Sequence, residues 1–252
     1  MDLSEHMQIS CTFSERETLH EEHSSYDIKC VLDAIKKRIK MYLPKHFEET
    51  NREKLAELIQ QFPLATLILK SGDELEVNHI PLDLDMNMGE LGVLKGHIAR
   101  QNPMVDLIQS SMDVRVLFHA EQHYISANWY MGKQEHHRVV PTWNYRVVHV
   151  KGKISLKEDP KYLRGVLAKL TRTQEATQSH PWRMSDAPDD FIAQQLEKIV
   201  AFEIEIESML GKFKLSQNRS DADAQNIAVQ LEHCGQDAMA QLIRANHPSE
   251  NE

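Results

Sequence analysis

The stretch Phe202-Glu203-Ile204-Glu205-Ile206-Glu207 constrains the fold more than any other part of the chain. Its two-residue period puts the apolar side chains on one face and the carboxylates on the other, which is the signature of a half-buried β-strand. A strand wet on one face belongs to an antiparallel sheet, because parallel sheets are covered on both faces and read as unbroken apolar runs. Other segments follow suit. Residues 64–70 and 74–80 read as strands joined by the turn Ser71-Gly72-Asp73, a hairpin. Residues 91–98 and 114–120 read as strands, and 139–156 as one long strand or two, broken near Pro141 or Tyr145.

Helices fall between them. Thr50-Asn51-Arg52-Glu53 reads as a capping box before an apolar face of Leu55, Leu58, Ile59 and Phe62, stopped by Pro63. Asn102-Pro103 opens a helix to about residue 110, and Asp159-Pro160 another to about residue 170. Residues 188–199 read as a third, and Ser220 caps a C-terminal helix followed by a last one over 236–244. A short amphipathic helix fits 31–40, with Val31, Leu32, Ile35 and Ile39 on one face. Hairpins outnumber β-α alternations, so the expected class is α+β: an antiparallel barrel decorated with helices, including C-terminal helices.

Composition narrows the function. Glycine is scarce, at 9 of 252 residues, and neither G-x-G-x-x-G nor a Walker A pattern occurs, which argues against a Rossmann or P-loop enzyme. The net charge of -9 supplies no global basic field for nucleic acid, so a DNA contact would need a local patch or a dimer. Cys11, Cys30 and Cys234 form no C-x-x-C pair. The longest apolar run, 63–69, is far too short to span a bilayer, and the first residues lack a signal-peptide pattern, so the expected location is cytoplasmic and off the membrane. The adjacent His136 and His137 and the other histidines show no metal-ligand spacing on a helix, and no metal is expected.

Two stretches mix rings with polar groups: Tyr124-Ile125-Ser126-Ala127-Asn128-Trp129-Tyr130 and Val139-Val140-Pro141-Thr142-Trp143-Asn144-Tyr145. They suit a planar, hydrogen-bonding ligand, and equally a barrel mouth lined with Tyr and Trp. The loop 212–219 carries three cations, a hydroxyl and two amides, which fits either a phosphate loop or a solvated lead into the last helices.

The sequence Met41-Tyr42-Leu43-Pro44-Lys45-His46-Phe47 resembles the start of PaiB-like proteins, the FMN-binding negative transcriptional regulators. The resemblance continues through Asn78-His79-Ile80-Pro81-Leu82, Gly96-His97-Ile98-Ala99-Arg100-Gln101-Asn102-Pro103, Tyr124-Ile125-Ser126, Val140-Pro141-Thr142-Trp143-Asn144-Tyr145, Ser185-Asp186-Ala187-Pro188 and Lys214-Leu215-Ser216-Gln217-Asn218-Arg219. It implies a split β-barrel over 41–246 that binds FMN as a homodimer and acts as a repressor. It leaves 1–40 as an N-terminal extension, poorly ordered or read from a misassigned start, and 247–252 as a polar tail.

Carried over residue by residue, the resemblance implies a flavin lined by Asn78, His79 and Ile80. It places a phosphate near Lys95 and His97, the ring or ribityl chain near Thr142, Trp143 and Asn144, and a closing loop of Lys214, Ser216 and Gln217. No catalytic group is assigned. A flavin-dependent oxidoreductase, or a haem-binding or haem-degrading protein on the same barrel, are the alternatives.

Overall fold

The computed structural model describes residues 41–108 and 112–247. The helix expected over 31–40 lies outside them. The chain divides after Tyr42, and the second compact unit begins at Leu43.

Strand β1 (Glu48–Glu49) leads to helix α1 (Arg52–Gln61). The N-cap of α1 is Asn51, one residue later than the expected Thr50: its side chain accepts from the Lys54 amide at 3.0 Å. Leu55, Leu58 and Ile59 of α1 are buried in the core, as their spacing requires. The hairpin of β2 (Leu64–Ser71) and β3 (Glu74–Pro81) turns at Gly72, whose φ of 59° lies in the region open to glycine. Then come β4 (Asp83–Asp85), β5 (Val93–Ala99) and α2 (Met104–Leu107), which is shorter than expected.

Three long strands make the rest of the sheet: β6 (Met112–Ile125), β7 (Thr142–Lys157) and β8 (Ile199–Lys214). The one-turn helix α3 (Lys133–His136) precedes β7. Helices α4 (Pro160–Glu175) and α5 (Asp189–Leu196) lie between β7 and β8. The chain ends in α6 (Asp221–His233) and α7 (Asp237–Asn246). Asp159 and Ser220 cap α4 and α6 as their sequences foretold. Strand β7 starts just past Pro141 and runs unbroken through Tyr145, which settles the open choice in favour of one strand.

All pairings are antiparallel, in the order β3-β2-β6-β7-β8-β5-β4, with β1 beside β8. The two ends of this path are halves of one segment. β3 and β4 are separated only by Leu82, whose amide donates to the Pro63 carbonyl at 2.9 Å. One half pairs with β2 and the other with β5, so the sheet curls into a barrel. Leu67, Leu94, Val116, Phe118, Val148, Phe202 and Ile204 point inward and are fully buried. At Gly96 the interior is tight: a Cβ there would stand 2.6 Å from Leu82 Cδ2 and 2.7 Å from Phe202 Cζ.

The described fold runs through α7 to His247. His247, expected to begin a polar tail, is 6% exposed. Among the described residues no helix is long and apolar enough to cross a membrane.

Candidate functional site

Strands β7 and β8 pair with Tyr145 opposite Lys214, and this brings two sequence-distant stretches together. Lys214 Nζ donates to Thr142 Oγ1 at 2.8 Å and to the Trp143 carbonyl at 2.5 Å. It also stands 5.6 Å from the centre of the Phe47 ring. Burial lowers the Lys214 pKa to about 8, helped by the neighbouring charges of Arg219 and Lys212. Alternation along β8 puts Lys212 on the same face, with its ammonium 5.5 Å from the Tyr145 ring centre. Among the described residues no carboxylate forms an ion pair with Lys214, and the charges of Lys212 and Arg219 reach it from close by.

Next to it lies a buried polar pair. Asn144, fully buried, donates through Nδ2 to Ser216 Oγ at 2.8 Å. Its Oδ1 is buried and has no partner, so one acceptor is left open in a place where leaving it so is costly. Ser216 itself adopts φ 67°, a left-handed conformation unusual for a residue with a side chain. Gln217 is used locally: its Oε1 accepts from the Leu215 amide at 2.7 Å and its Nε2 donates to the Phe213 carbonyl at 2.5 Å. The side chain shapes the turn, and its polar atoms are engaged there. Two aromatic side chains stand open nearby: Trp143 is 51% exposed and Tyr124 45%, packed edge to face at 6.0 Å.

The remaining expected residues lie elsewhere. Lys95 pairs with Glu203, and Lys214 is eleven residues further along β8, a span of up to about 36 Å in an extended strand. Within one chain, Lys95 and Lys214 therefore cannot hold the same phosphate. Lys95 donates to Asp85 at 2.8 Å, and that contact holds the Asp85 carboxyl below its ordinary range. Beside it, Tyr162 of α4 donates to Glu203 at 2.6 Å, and Lys157 pairs with the other oxygen of Glu203. Burial and the Glu203 hydrogen bond push the Tyr162 hydroxyl well up. His97 is partly buried, and its pKa is lowered by that burial. The Tyr162 hydrogen bond to Glu203 and the Lys169 ion pair with Asp83 fasten α4 to the barrel.

On β3, Ile80 is a core side chain, 6% exposed. Asn78 accepts from Asn102 Nδ2 at 2.7 Å and contacts Met104 Sδ, which pins the start of α2. His79 faces outward opposite Thr66 of β2. The six residues Thr142, Trp143, Asn144, Lys214, Ser216 and Gln217 thus form one cluster, and Asn78, His79, Ile80, Lys95 and His97 do not join it.

Reading the sequence misses four contributors. Phe47 and Arg219 lie in quoted motifs without being chosen. Lys212 opens the cation-rich loop 212–219 without being chosen. His247 has no signal in the sequence.

The cluster suits a ligand with an anionic end, a hydroxylated middle and a flat ring. Lys214 with Lys212 and Arg219 supplies the charge, Asn144 Oδ1 an unfilled acceptor, and Trp143 and Tyr124 exposed ring faces. On this test the residues fit FMN.

Comparison with known proteins agrees. A family model described as "Putative FMN-binding domain" matches residues 41–208. The protease synthase and sporulation protein PAI 2 of Bacillus subtilis is 31% identical over 193 residues, covering 77% of this chain and 90% of that protein. Among solved structures, the flavocytochrome Anf3 from Azotobacter vinelandii matches with a TM-score of 0.51 at 13% identity, over 71% of this chain and 73% of that one. The FAD and haem binding protein from Mycobacterium smegmatis matches with a TM-score of 0.50 at 18% identity, over 67% and 73%. At these identities the two structures speak for the flavin-type split barrel and for nothing finer. The chain belongs to the PaiB-like family of FMN-binding proteins.

Proposed function

We propose that this protein is a homodimeric FMN-binding regulator that holds the FMN phosphate at Lys214. The observation that carries the reading is the half-buried Lys214 ammonium, fixed by Thr142 Oγ1 and the Trp143 carbonyl beside two further cations. A phosphate dianion pairs with this ammonium through charge-assisted hydrogen bonds. Asn144 and Ser216 then serve the polar chain of the ligand, and Trp143 and Tyr124 its ring. Bound there, FMN supplies a ring that takes up and releases electrons.

The regulatory part of the reading leans on the name of the Bacillus relative. The homodimer leans on the family resemblance and on β3, where the outward Leu75 and Val77 are 64% and 50% exposed.

The test of the site is flavin binding by Lys214→Ala, followed by absorbance and flavin fluorescence. A folded variant with an affinity at least about tenfold weaker supports the site, and unchanged affinity removes it. Regulation requires sequence-specific DNA binding whose strength falls steeply with salt. Saturable turnover with a nicotinamide cofactor, without such binding, would favour the oxidoreductase.

A further inference from the structure

His247 follows α7 and turns back toward the loop that carries Ser216. Its Nδ1 lies 2.8 Å from Asp221 Oδ1 and its Nε2 3.1 Å from the Ser216 carbonyl oxygen. Both partners are acceptors. A neutral imidazole has one N–H and can satisfy one of them, whereas the imidazolium donates to both. The backbone of His247 is also held. Gln225 donates to the His247 carbonyl at 2.8 Å, and Arg244 donates to Gln225 Oε1 at 2.7 Å.

The charges around the ring can be enumerated. Asp221 opens α6, and its side chain is 75% exposed. Arg244 of α7 is matched by a two-pronged contact with Glu232 of α6. The clasped loop itself carries Lys214 and Arg219. Asp221 is thus the carboxylate that faces the imidazole.

What the ring holds matters for the site. Ser216 is kept at φ 67°, a conformation that a residue with a side chain holds only where its surroundings impose it. The Asn144 amide holds its hydroxyl, and His247 holds its carbonyl. Two residues earlier stands Lys214.

We propose that His247 is a positioning residue for the flavin site: its protonated ring bridges Asp221 and the Ser216 carbonyl, and so couples ligand affinity to imidazole protonation. The inference rests on the placement of FMN at Lys214. The bridging element lies beyond residues 41–208, the segment the family model covers.

The experiment is FMN titration of the full chain, wild type and His247→Ala, across the imidazole range of about pH 5 to 7. The ratio of the two affinities is read, so that ionisation of the FMN phosphate cancels. We expect a ratio of about ten at the acid end, shrinking as pH rises. Asp221→Asn, a change at an exposed side chain, gives the same trend in a protein that keeps its fold. Nitrogen-detected NMR of the His247 ring in the ligand-free protein reports the imidazolium directly. A ratio near one at every pH, or a neutral ring throughout the acid range, overturns the proposal. Failure of the site itself shows separately, as undiminished FMN binding by Lys214→Ala. The ring spectrum and the Ser216 amide shift then decide whether the bridge exists.

Discussion

Lys214 Nζ reaches across the β7–β8 pair to Thr142 Oγ1 at 2.8 Å. This contact joins the start of one long strand to the end of the next, 72 residues apart in sequence. It also fixes how the site responds to pH. The Lys214 pKa is lowered to about 8 from the ordinary value of 10.5, so folding disfavours its charged form. In the ligand-free protein this group works against stability at neutral pH, and the penalty is relieved as pH rises from about 8 toward the unfolded value. Binding runs the other way, because the phosphate needs the ammonium. FMN affinity should fall as pH rises through about 8, and Lys214→Met should abolish that step. Fluorescence titration at a series of pH values checks both.

Asn144→Leu should destabilise the protein by about 1–3 kcal/mol. It removes the buried partner of Ser216 Oγ and leaves that hydroxyl without its donor. Thermal melts measure the loss. FMN affinity should drop with it, because the unfilled acceptor at Asn144 Oδ1 goes too.

Beside the irregularity in β6 between His119 and Gln122, Arg146 grips Glu121 with two hydrogen bonds of 2.7 Å each. Both side chains are mostly withdrawn from water, at 9% and 17% exposure. Arg146→Met strands the carboxylate and should cost about 3 kcal/mol or more. Adding Glu121→Gln should recover part of that cost. Urea unfolding of the two single variants and the double variant gives the coupling.

Two glycines should respond in opposite directions. Gly96→Ala drives a methyl into Leu82 and Phe202 and should cost about 1–3 kcal/mol. Gly165→Ala on α4 meets open space and should stabilise by about 0.5–1 kcal/mol. Melting temperatures decide both signs.

The sequence made the barrel legible wherever one face of a strand stays wet. Alternation announces β8 as far as Glu207, but the strand continues to Lys214. It fades there because α1 covers that end: the inward position is Gly211, with Leu55 and Glu49 against it. β4 escapes notice because it has only three residues, Asp83–Asp85. The Thr142–Asn144 and Lys214–Gln217 halves of the site are readable as polar and aromatic clusters. Their meeting is not, because it depends on the β7–β8 register. The pairing of Lys95 with Asp85 removes that lysine for a reason equally hidden, since a charge's partner is set by tertiary structure. His247 looks like the start of a frayed end because nothing local marks a side chain that will be buried by α6.

The closure of the barrel has a consequence for how the chain is made. β5 pairs with β4 on one edge, and its other edge waits for β8, whose Ile199 meets Ala99. A hundred residues of synthesis separate those partners. Until they emerge, the nascent chain presents an open edge with unpaired amides and carbonyls, the kind of surface that other strands can extend. The last strand added is therefore the one that covers the β5 edge, and chains released before residue 199 lack it entirely.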